Sequence, residues 1–527
     1  MPDTYTRAVL DALLRGEARD KEQVHSLKVQ LAKAHGARAI PRDADLLAAA
    51  RPHERATLVA LLRTKPTRTL SGVAIVTVQT DPAWCPHGTC VFCPGGPGWG
   101  GGAGTAQAYT GHEPAALRAA RAGFDPFVQA QGRLAALERN GHVVDKVELI
   151  VQGGTFPARE TAYQEAFIQG CLDALNAHGA APARSADLAE AQARNEAARA
   201  RCVGLTLETK PDWCTEAHVA TMLGLGATRV EVGVQTTHDD VLASSHRGHT
   251  TQDSIDATRR LKDAGIKVCY HLMPGLPGSD EARDLAMAER IFGDPDFRPD
   301  KLKVYPTLVV PGTALHKLWQ AGRYEPIGEE RAVRFLVALK QRCPPWVRIM
   351  RVDRDIPTHQ IAAGPMRTNL RELALAELAR QGGRCRCVRC REAGRAPGFD
   401  GEGLVLQEIR YEASRGAEWF LSFEDRAGVL GAFLRLREPS SACWVPEAQG
   451  ALLVRELKVV GLEVPLGQHG EGLQHRGLGR ALMDRAEALA RERGAARVLV
   501  MSGIGVRPYY RKLGYERAGA YMAKRVT

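Results

Sequence analysis

The sequence predicts an α/β protein built on a parallel sheet and followed by a second, smaller α/β unit. Three observations predict it. Six apolar, β-branched runs alternate with stretches of helical period between residues 72 and 306. Chemistry-bearing residues recur just after those runs, at the ends where α/β barrels place their sites. A strand, a glycine turn, an amphipathic helix and another strand then follow one another between residues 451 and 501.

Composition bounds the function classes. A chain of 527 residues, 44% hydrophobic and 25% charged, has room for two or three soluble globular domains. No apolar run approaches the ~18 residues of a membrane span, and Met1-Pro-Asp-Thr-Tyr5 lacks a basic-then-apolar leader. A cytoplasmic protein with no membrane partner is therefore expected. Twelve cysteines in that compartment are reduced, so their clusters point to metal rather than disulfides. A formal charge of +11 suits a polyanionic partner.

The elements follow in order. Residues 1–70 read as helical, and between 51 and 68 the basic residues Arg51, Arg55, Arg63, Lys65 and Arg68 stand against one acid, Glu54. Such a cluster suits phosphate contacts. The first strand reads as Gly72–Val78, and the loop Cys85-Pro-His-Gly-Thr-Cys90-Val-Phe-Cys93 comes after it, followed by the glycine-rich run Pro94–Gly104. Three clustered thiolates can hold a 4Fe–4S cluster while leaving one iron open. The spacing is one residue longer than the usual Cys-x3-Cys-x2-Cys, and a zinc knuckle or three unrelated thiols are the alternatives.

Further strands read as Val147–Val151, Val203–Leu207, Val230–Val234, Ile266–Tyr270 and Leu302–Tyr305, with helices at Thr251–Ala264 and Ala282–Ile291. Right-handed crossovers then make the sheet parallel. After these strands come Gly153-Gly154-Thr155-Phe156, Glu208-Thr-Lys210-Pro-Asp212, Gln235-Thr-Thr237 and His271-Leu-Met-Pro-Gly-Leu-Pro-Gly278. Glycines let backbone approach a ligand, and a carboxylate beside a cation can grip an amino acid's two charged ends. A tight turn alone would also explain Gly153 and Gly154.

The cysteine loop, the Gly153–Phe156 turn, Glu208–Asp212 and His271–Gly278 together resemble a radical S-adenosylmethionine domain. Asp145-Lys-Val-Glu148 running into that turn, and Arg354-Asp-Ile-Pro357, resemble the catalytic-subunit family of the Elongator complex over about residues 60–527, in its shorter prokaryotic form. The resemblance implies a partial (βα)6 radical-SAM barrel and a longer-spaced cluster motif. It implies a cluster on Cys85, Cys90 and Cys93, and S-adenosylmethionine at Gly153, Gly154, Thr155, Glu208, Lys210, Gln235 and His271. Residues 1–70 resemble, more weakly, the family's tRNA-binding region. Lys146, by itself a solvated strand-end lysine, becomes an acetyl-CoA contact at the mouth of the second strand.

Residues 341–400 read as a linker that carries Cys385-Arg-Cys387-Val-Arg-Cys390. Three thiols can supply three of zinc's four ligands, with Cys343 and then His359 as candidates for the fourth; three free thiols are the alternative. The same stretch holds Arg348, Arg351, Arg354, Arg367 and Arg371, further candidates for RNA contact. The remaining cysteines, at 171, 202, 214, 269 and 443, read as core.

Residues 401–527 form the last unit. Ala451–Val460 is a strand, Gln474-His-Arg-Gly477-Leu-Gly-Arg480 opens a helix whose inner face is Leu482, Ala486 and Leu489, and Arg497–Met501 is a strand. Bare backbone N–H groups at such a turn suit a pyrophosphate. This order, with Val506–Tyr515 after it, resembles the Gcn5-related acetyltransferase fold. The resemblance implies acetyl-CoA along Glu456, Leu457, Lys458 and Val459, over Gln474, Gly477, Leu478, Gly479 and Arg480, and against Tyr510. Tyr509 and Tyr510 are the tyrosines associated with activity, with Tyr509 as readily a core ring.

The function implied is modification of the wobble uridine of tRNA, in the anticodon loop, at C5. Acetyl-CoA supplies the carbon, a 5′-deoxyadenosyl radical activates it, an electron donor feeds the cluster, and 5-carboxymethyluridine results. The two catalytic faces are then expected to open onto one cleft lined by arginines 348–371. A protein lysine acetyltransferase with a structural iron–sulfur domain is the alternative reading, and a catalytically inert tRNA-binding scaffold is a third.

Overall fold

The computed structural model describes residues 3–70, 72–181, 183–396, 398–461 and 477–526. Helices Thr4–Leu14, Lys21–Ala34, Asp43–Ala49 and Pro52–Leu62 come first and close on a small core of their own around Val9, Leu10, Leu46, Leu47, Leu58 and Leu62. Asp3 and Asp20 start the first two by accepting from the backbone N–H groups of Thr6 and Gln23.

The central sheet has seven parallel strands in chain order: β1 Ala74–Gln79, β2 Lys146–Gln152, β3 Arg201–Thr209, β4 Arg229–Gln235, β5 Lys267–Leu272, β6 Lys301–Val304 and β7 Arg348–Arg351. β1 and β7 are the two edges, so the sheet is a half-barrel that does not close on itself. Six strands were expected. The seventh, Arg-Ile-Met-Arg, is only four residues long and carries two arginines, so it has no apolar run to betray it.

Strand alternation sorts the side chains. Val147, Leu149, Val151, Val230 and Val232 face the outer helices and belong to the main core. The alternate positions turn Glu148, Glu208, Arg229, Glu231, His271 and Lys303 into the concave side, where charges pair rather than pack.

The second sheet has the order β13-β14-β12-β11-β10-β9-β8. Its strands are β8 Val405–Ala413, β9 Gly416–Glu424, β10 Leu430–Glu438, β11 Ala451–Val459, β12 Arg497–Val500, β13 Glu516–Ala518 and β14 Tyr521–Arg525. Helix Leu478–Glu492 packs on it through Leu482, Met483 and Ala486. β11 and β12 pair in parallel only from Ala451 to Val454, so among the described residues Arg455–Val459 has no strand partner on that side.

This sheet caps the half-barrel at the N-terminal ends of its strands. Fully buried ion pairs make the joint: Lys262 to Glu418 at 2.9 Å, Arg437 to Asp263 at 2.6 Å and Arg455 to Asp300 at 2.6 Å. Lys301, the first residue of β6, reaches Glu456 at 2.9 Å. Arg507 reaches Glu196, beyond helix Leu188–Asn195, at 3.2 Å.

Candidate functional site

The cysteine loop sits at the C-terminal ends of β1 and β2. Gly154, at φ +73°, lies so close to Cys85 that a Cβ there would stand 3.2 Å from its Sγ. Thr155 Oγ1 is 3.5 Å from the same sulfur. The Ala108 N–H donates to Cys93 Sγ at 3.1 Å, and Arg247 Nη1 donates to Cys90 Sγ at 3.3 Å. His87 Nε2 is 3.1 Å from Cys90 Sγ. Burial first, then Lys210 and Arg247, pull His87 down to about 4, so its ring is neutral.

Burial pushes the Cys93 thiol far up, and the thiols of Cys90 and Cys85 add to the shift. Three thiolates on one largely buried loop are unfavourable without a cation to offset them. The N–H and guanidinium donors already aimed at two of the sulfurs suit bound, negatively charged ligands. The donor set therefore fits a three-cysteine iron–sulfur cluster.

Toward the concave side, Tyr109 donates to Glu208 at 3.0 Å, and burial raises the Glu208 carboxyl. His271 Nε2 is 2.9 Å from Glu231, which also pairs with Lys303. Glu208, Glu231 and His271 converge within 4.8 Å, but Lys303 already supplies the counter-charge a metal would bring. Cys385, Cys387 and Cys390 also converge within 4.8 Å. Hydrogen bonds within the trio lower the Cys387 thiol and raise that of Cys385.

In the C-terminal unit, Gly477 at φ +82° opens helix Leu478–Glu492 with no side-chain cap. A helix start with no side-chain cap among the described residues suits an anion. The Tyr509 hydroxyl stands over that turn, 3.2 Å from where a Gly479 Cβ would be. The β11 edge beyond Val454 leads away from the same place.

The comparisons agree with this geometry. The ELP3 N-terminal domain matches residues 3–70, the radical SAM superfamily 82–291, the radical SAM C-terminal domain 299–380 and the acetyltransferase (GNAT) family 470–515. Elongator complex protein 3 of Danio rerio is 42% identical, covering 98% of this chain and 95% of its own. A Methanocaldococcus jannaschii protein named tRNA uridine(34) acetyltransferase is 46% identical, covering 98% of this chain and 96% of its own.

The chain belongs to the Elongator complex protein 3 family.

A solved structure of the family, Methanocaldococcus infernus Elp3 lacking residues 1–46, covers 87% of this chain and 100% of its own, with TM-score 0.75 and 44% identity. Fold and family thus match the sequence reading: a radical SAM half-barrel and a GNAT domain.

Within this member of the Elongator complex protein 3 family, several expected residues lie elsewhere than supposed. Lys146 is the first residue of β2, so it stands at the floor of the half-barrel, not at the mouth beside the cysteines. The seven residues of β2 put roughly 20 Å between the two ends. The single cleft expected between the domains is likewise replaced by two ends of one half-barrel. Arg348 is at the floor, paired with Glu392, and so is withdrawn from phosphate contact. Arg351 pairs with Asp355, and Arg354 donates to the Ala108 carbonyl at 2.6 Å, beside the cysteine loop.

The two tyrosines exchange characters. Tyr510 is the buried ring, edge-on to Tyr515 at 6.1 Å, whereas Tyr509 is 38% exposed. The Tyr510 hydroxyl makes no hydrogen bond among the described residues, which leaves it for a ligand. Gln474 lies outside the described residues. Cys343 is buried near Cys387 and Cys390 without joining the 4.8 Å group, and His359 packs instead on His112. In the N-terminal region Arg55 donates to the Glu138 carbonyl at 3.0 Å, Arg51 caps a helix with Glu54, and Lys65 and Arg68 are exposed.

Sequence reasoning missed Gln107, which accepts from the Cys85 N–H and donates to Thr89 Oγ1 at 3.0 Å, pinning the cysteine loop. It also missed Tyr109, just past the glycine-rich run, and Arg247, which lies in no motif. The inward charges of Lys146-Val-Glu-Leu and Arg229-Val-Glu-Val were visible as strict alternation.

Proposed function

We propose that this enzyme modifies the wobble uridine of tRNA at C5, using acetyl-CoA, S-adenosylmethionine and a 4Fe–4S cluster, and yields 5-carboxymethyluridine. The observation that carries the reading is one chain with the Cys85, Cys90 and Cys93 loop at one end of a half-barrel and, at the other, a β11 edge unpaired beyond Val454 and a helix start without a side-chain cap among the described residues. The relative's name, tRNA uridine(34) acetyltransferase, supports the substrate. When bound, the cluster with S-adenosylmethionine supplies the radical that makes the acetyl methyl carbon able to join uridine C5.

The chain's own residues do the rest. Cys85, Cys90 and Cys93 hold the cluster, with Arg247 and the Ala108 N–H steadying two of the sulfurs. Gly153, Gly154 and Thr155, beside Cys85, leave room for S-adenosylmethionine; Glu208, Lys210, Gln235 and His271 ring the same end. The Glu456–Val459 edge takes the pantetheine amides as a strand would, Leu478, Gly479 and Arg480 hold the pyrophosphate, and Lys146 approaches from the floor. Tyr510 offers a proton to the thioester end. Burial first and then Tyr509 raise its hydroxyl, so it stays protonated at neutral pH. Arg354, beside the cysteine loop, and Arg351 are basic groups for an anticodon loop at that end, and Lys65 and Arg68 are exposed for further phosphate contacts. Zinc on Cys385, Cys387 and Cys390 would fasten the linker to β7.

Such an enzyme works in the cytoplasm with an external electron donor. Among the described residues no helix is long and apolar enough to cross a membrane. Mass spectrometry of tRNA nucleosides from a deletion strain tests the reading: 5-carboxymethyluridine and its derivatives should vanish, and unchanged nucleosides would overturn it.

A further inference from the structure

We propose that the cavity at the floor of the half-barrel is a carboxylate site, filled by the carboxylate that thioester hydrolysis creates. This rests on the acyl-thioester reading above. The cavity measures about 200 Å³. Its wall is built by Glu148, Arg229, Lys301 and Arg348 of the half-barrel, Arg389 of the linker and Lys458 of β11. Seven basic side chains line it against two acidic ones, a formal surplus of five positive charges.

Two of the cations are short of partners, Arg229 buried and Arg389 half-buried. Arg229 is 2% exposed and pairs with Glu148, yet its Nε and Nη2 donate no hydrogen bond among the described residues. Nη2 has only a misaligned Glu231 oxygen at 3.4 Å. Arg389 has no ion pair among the described residues. A buried guanidinium with idle donors is costly, and a planar two-oxygen anion satisfies it best.

Position decides which anion. The β11 edge proposed to carry the acyl arm borders the cavity through Lys458, and Lys301 in its wall holds Glu456. The helix turn at Leu478–Arg480, which takes the pyrophosphate, lies over Leu457 and Val459, whereas Lys458 between them turns to the other face of β11 and into the floor cavity. In the step concerned, water oxygen bonds to the thioester carbonyl carbon and the carbon–sulfur bond breaks. Sulfur leaves as thiol, one proton passes to solvent, and no electron changes hands. The cations stabilise the oxyanion as it forms and the carboxylate that remains.

The test uses the full chain, carbon-13-labelled acetate followed by saturation-transfer NMR, and separate calorimetry with CoA. Wild type should bind acetate saturably, and equal inorganic phosphate should not displace it. Arg229→Gln should weaken acetate about ten-fold or more while CoA affinity stays within about two-fold. Arg389→Gln should weaken acetate by a smaller factor, and it decides alone if Arg229→Gln does not fold. No saturable acetate binding, unchanged binding in the folded variants, or ready displacement by phosphate would overturn the proposal. Acetate binding without any tRNA product would sink the proposed function and leave the site; product without acetate binding would sink only the site.

Discussion

Arg455→Met tests how the two sheets are joined. Arg455 is completely buried and its guanidinium reaches Asp300 at 2.6 Å, Glu418 at 3.0 Å and the Ile266 carbonyl at 2.9 Å. Asp300 directly precedes β6 of the half-barrel, and Glu418 lies on β9 of the other sheet. Without the guanidinium the cations left beside the two carboxylates are Lys262, 2.9 Å from Glu418, Arg437, 3.1 Å from Glu418, and Arg435, 3.8 Å from Asp300, while the Tyr411 hydroxyl still donates to Glu418 and the Val268 N–H to Asp300, both at 2.8 Å. Removing one partner of a buried pair costs about 3–5 kcal/mol, and the three remaining cations point to the lower figure. That corresponds to a fall of roughly 6–12 °C in the melting temperature of a domain this size. Scanning calorimetry should show the fall. The companion Arg455→Met/Asp300→Leu should recover a large part of it, because the stranded charge is gone. Burial alone would raise the Glu418 carboxyl, but Arg455 and Lys262 outweigh it and hold it at about 2. Its contribution is therefore present above the ordinary carboxylate range and lost as pH falls toward 2, so the variant should unfold at a higher pH than wild type. A loss below ~1 kcal/mol, far under the buried-pair range, or a double variant no better than the single, would refute the reasoning.

Other outcomes follow from the same structure. Cys90→Ser should lower bound iron and abolish S-adenosylmethionine cleavage in anaerobically reconstituted protein; full cleavage would remove the cluster reading. Cys387→Ala should lose zinc, measured by elemental analysis, while iron content stays near normal; wild type free of zinc after growth with the metal would end the linker-site reading. Burial lowers the Lys267 ammonium to about 7, below its unfolded value. Stability held back by that protonation should return as pH rises through 7 toward 9. The stability difference between wild type and Lys267→Met should therefore move by up to about 1.4 kcal/mol per pH unit, and a flat difference in urea unfolding would contradict it.

What the sequence revealed depended on the kind of signal. Outward-facing Val147, Leu149 and Val230 gave apolar periodicity, so the strands and their parallel order were legible. β7 was not, because four residues with two arginines carry no apolar run. Cys85, Cys90 and Cys93 were legible as a local motif. Arg247, more than 150 residues away in sequence from Cys90, was not, since only the fold brings them within 3.3 Å. Lys146 was legible as a strand-end residue, but which end it occupies depends on strand direction relative to the cysteine loop. The floor-capping position of the GNAT domain rests on Arg435, Arg437 and Arg455; of these only Arg455 lay in a strand read from the sequence, and their acidic partners are distant in the chain.

The central claim is that acetyl carbon reaches tRNA through chemistry needing both ends of the half-barrel. The most direct measurement incubates reduced, cluster-loaded protein with S-adenosylmethionine, unmodified tRNA and acetyl-CoA labelled with carbon-13 at the methyl. The account predicts that mass spectrometry finds the label in 5-carboxymethyluridine at the wobble position, and that Cys90→Ser gives none. Labelled acetyl on protein lysines with unmodified tRNA, or labelled uridine formed equally by Cys90→Ser, would contradict it.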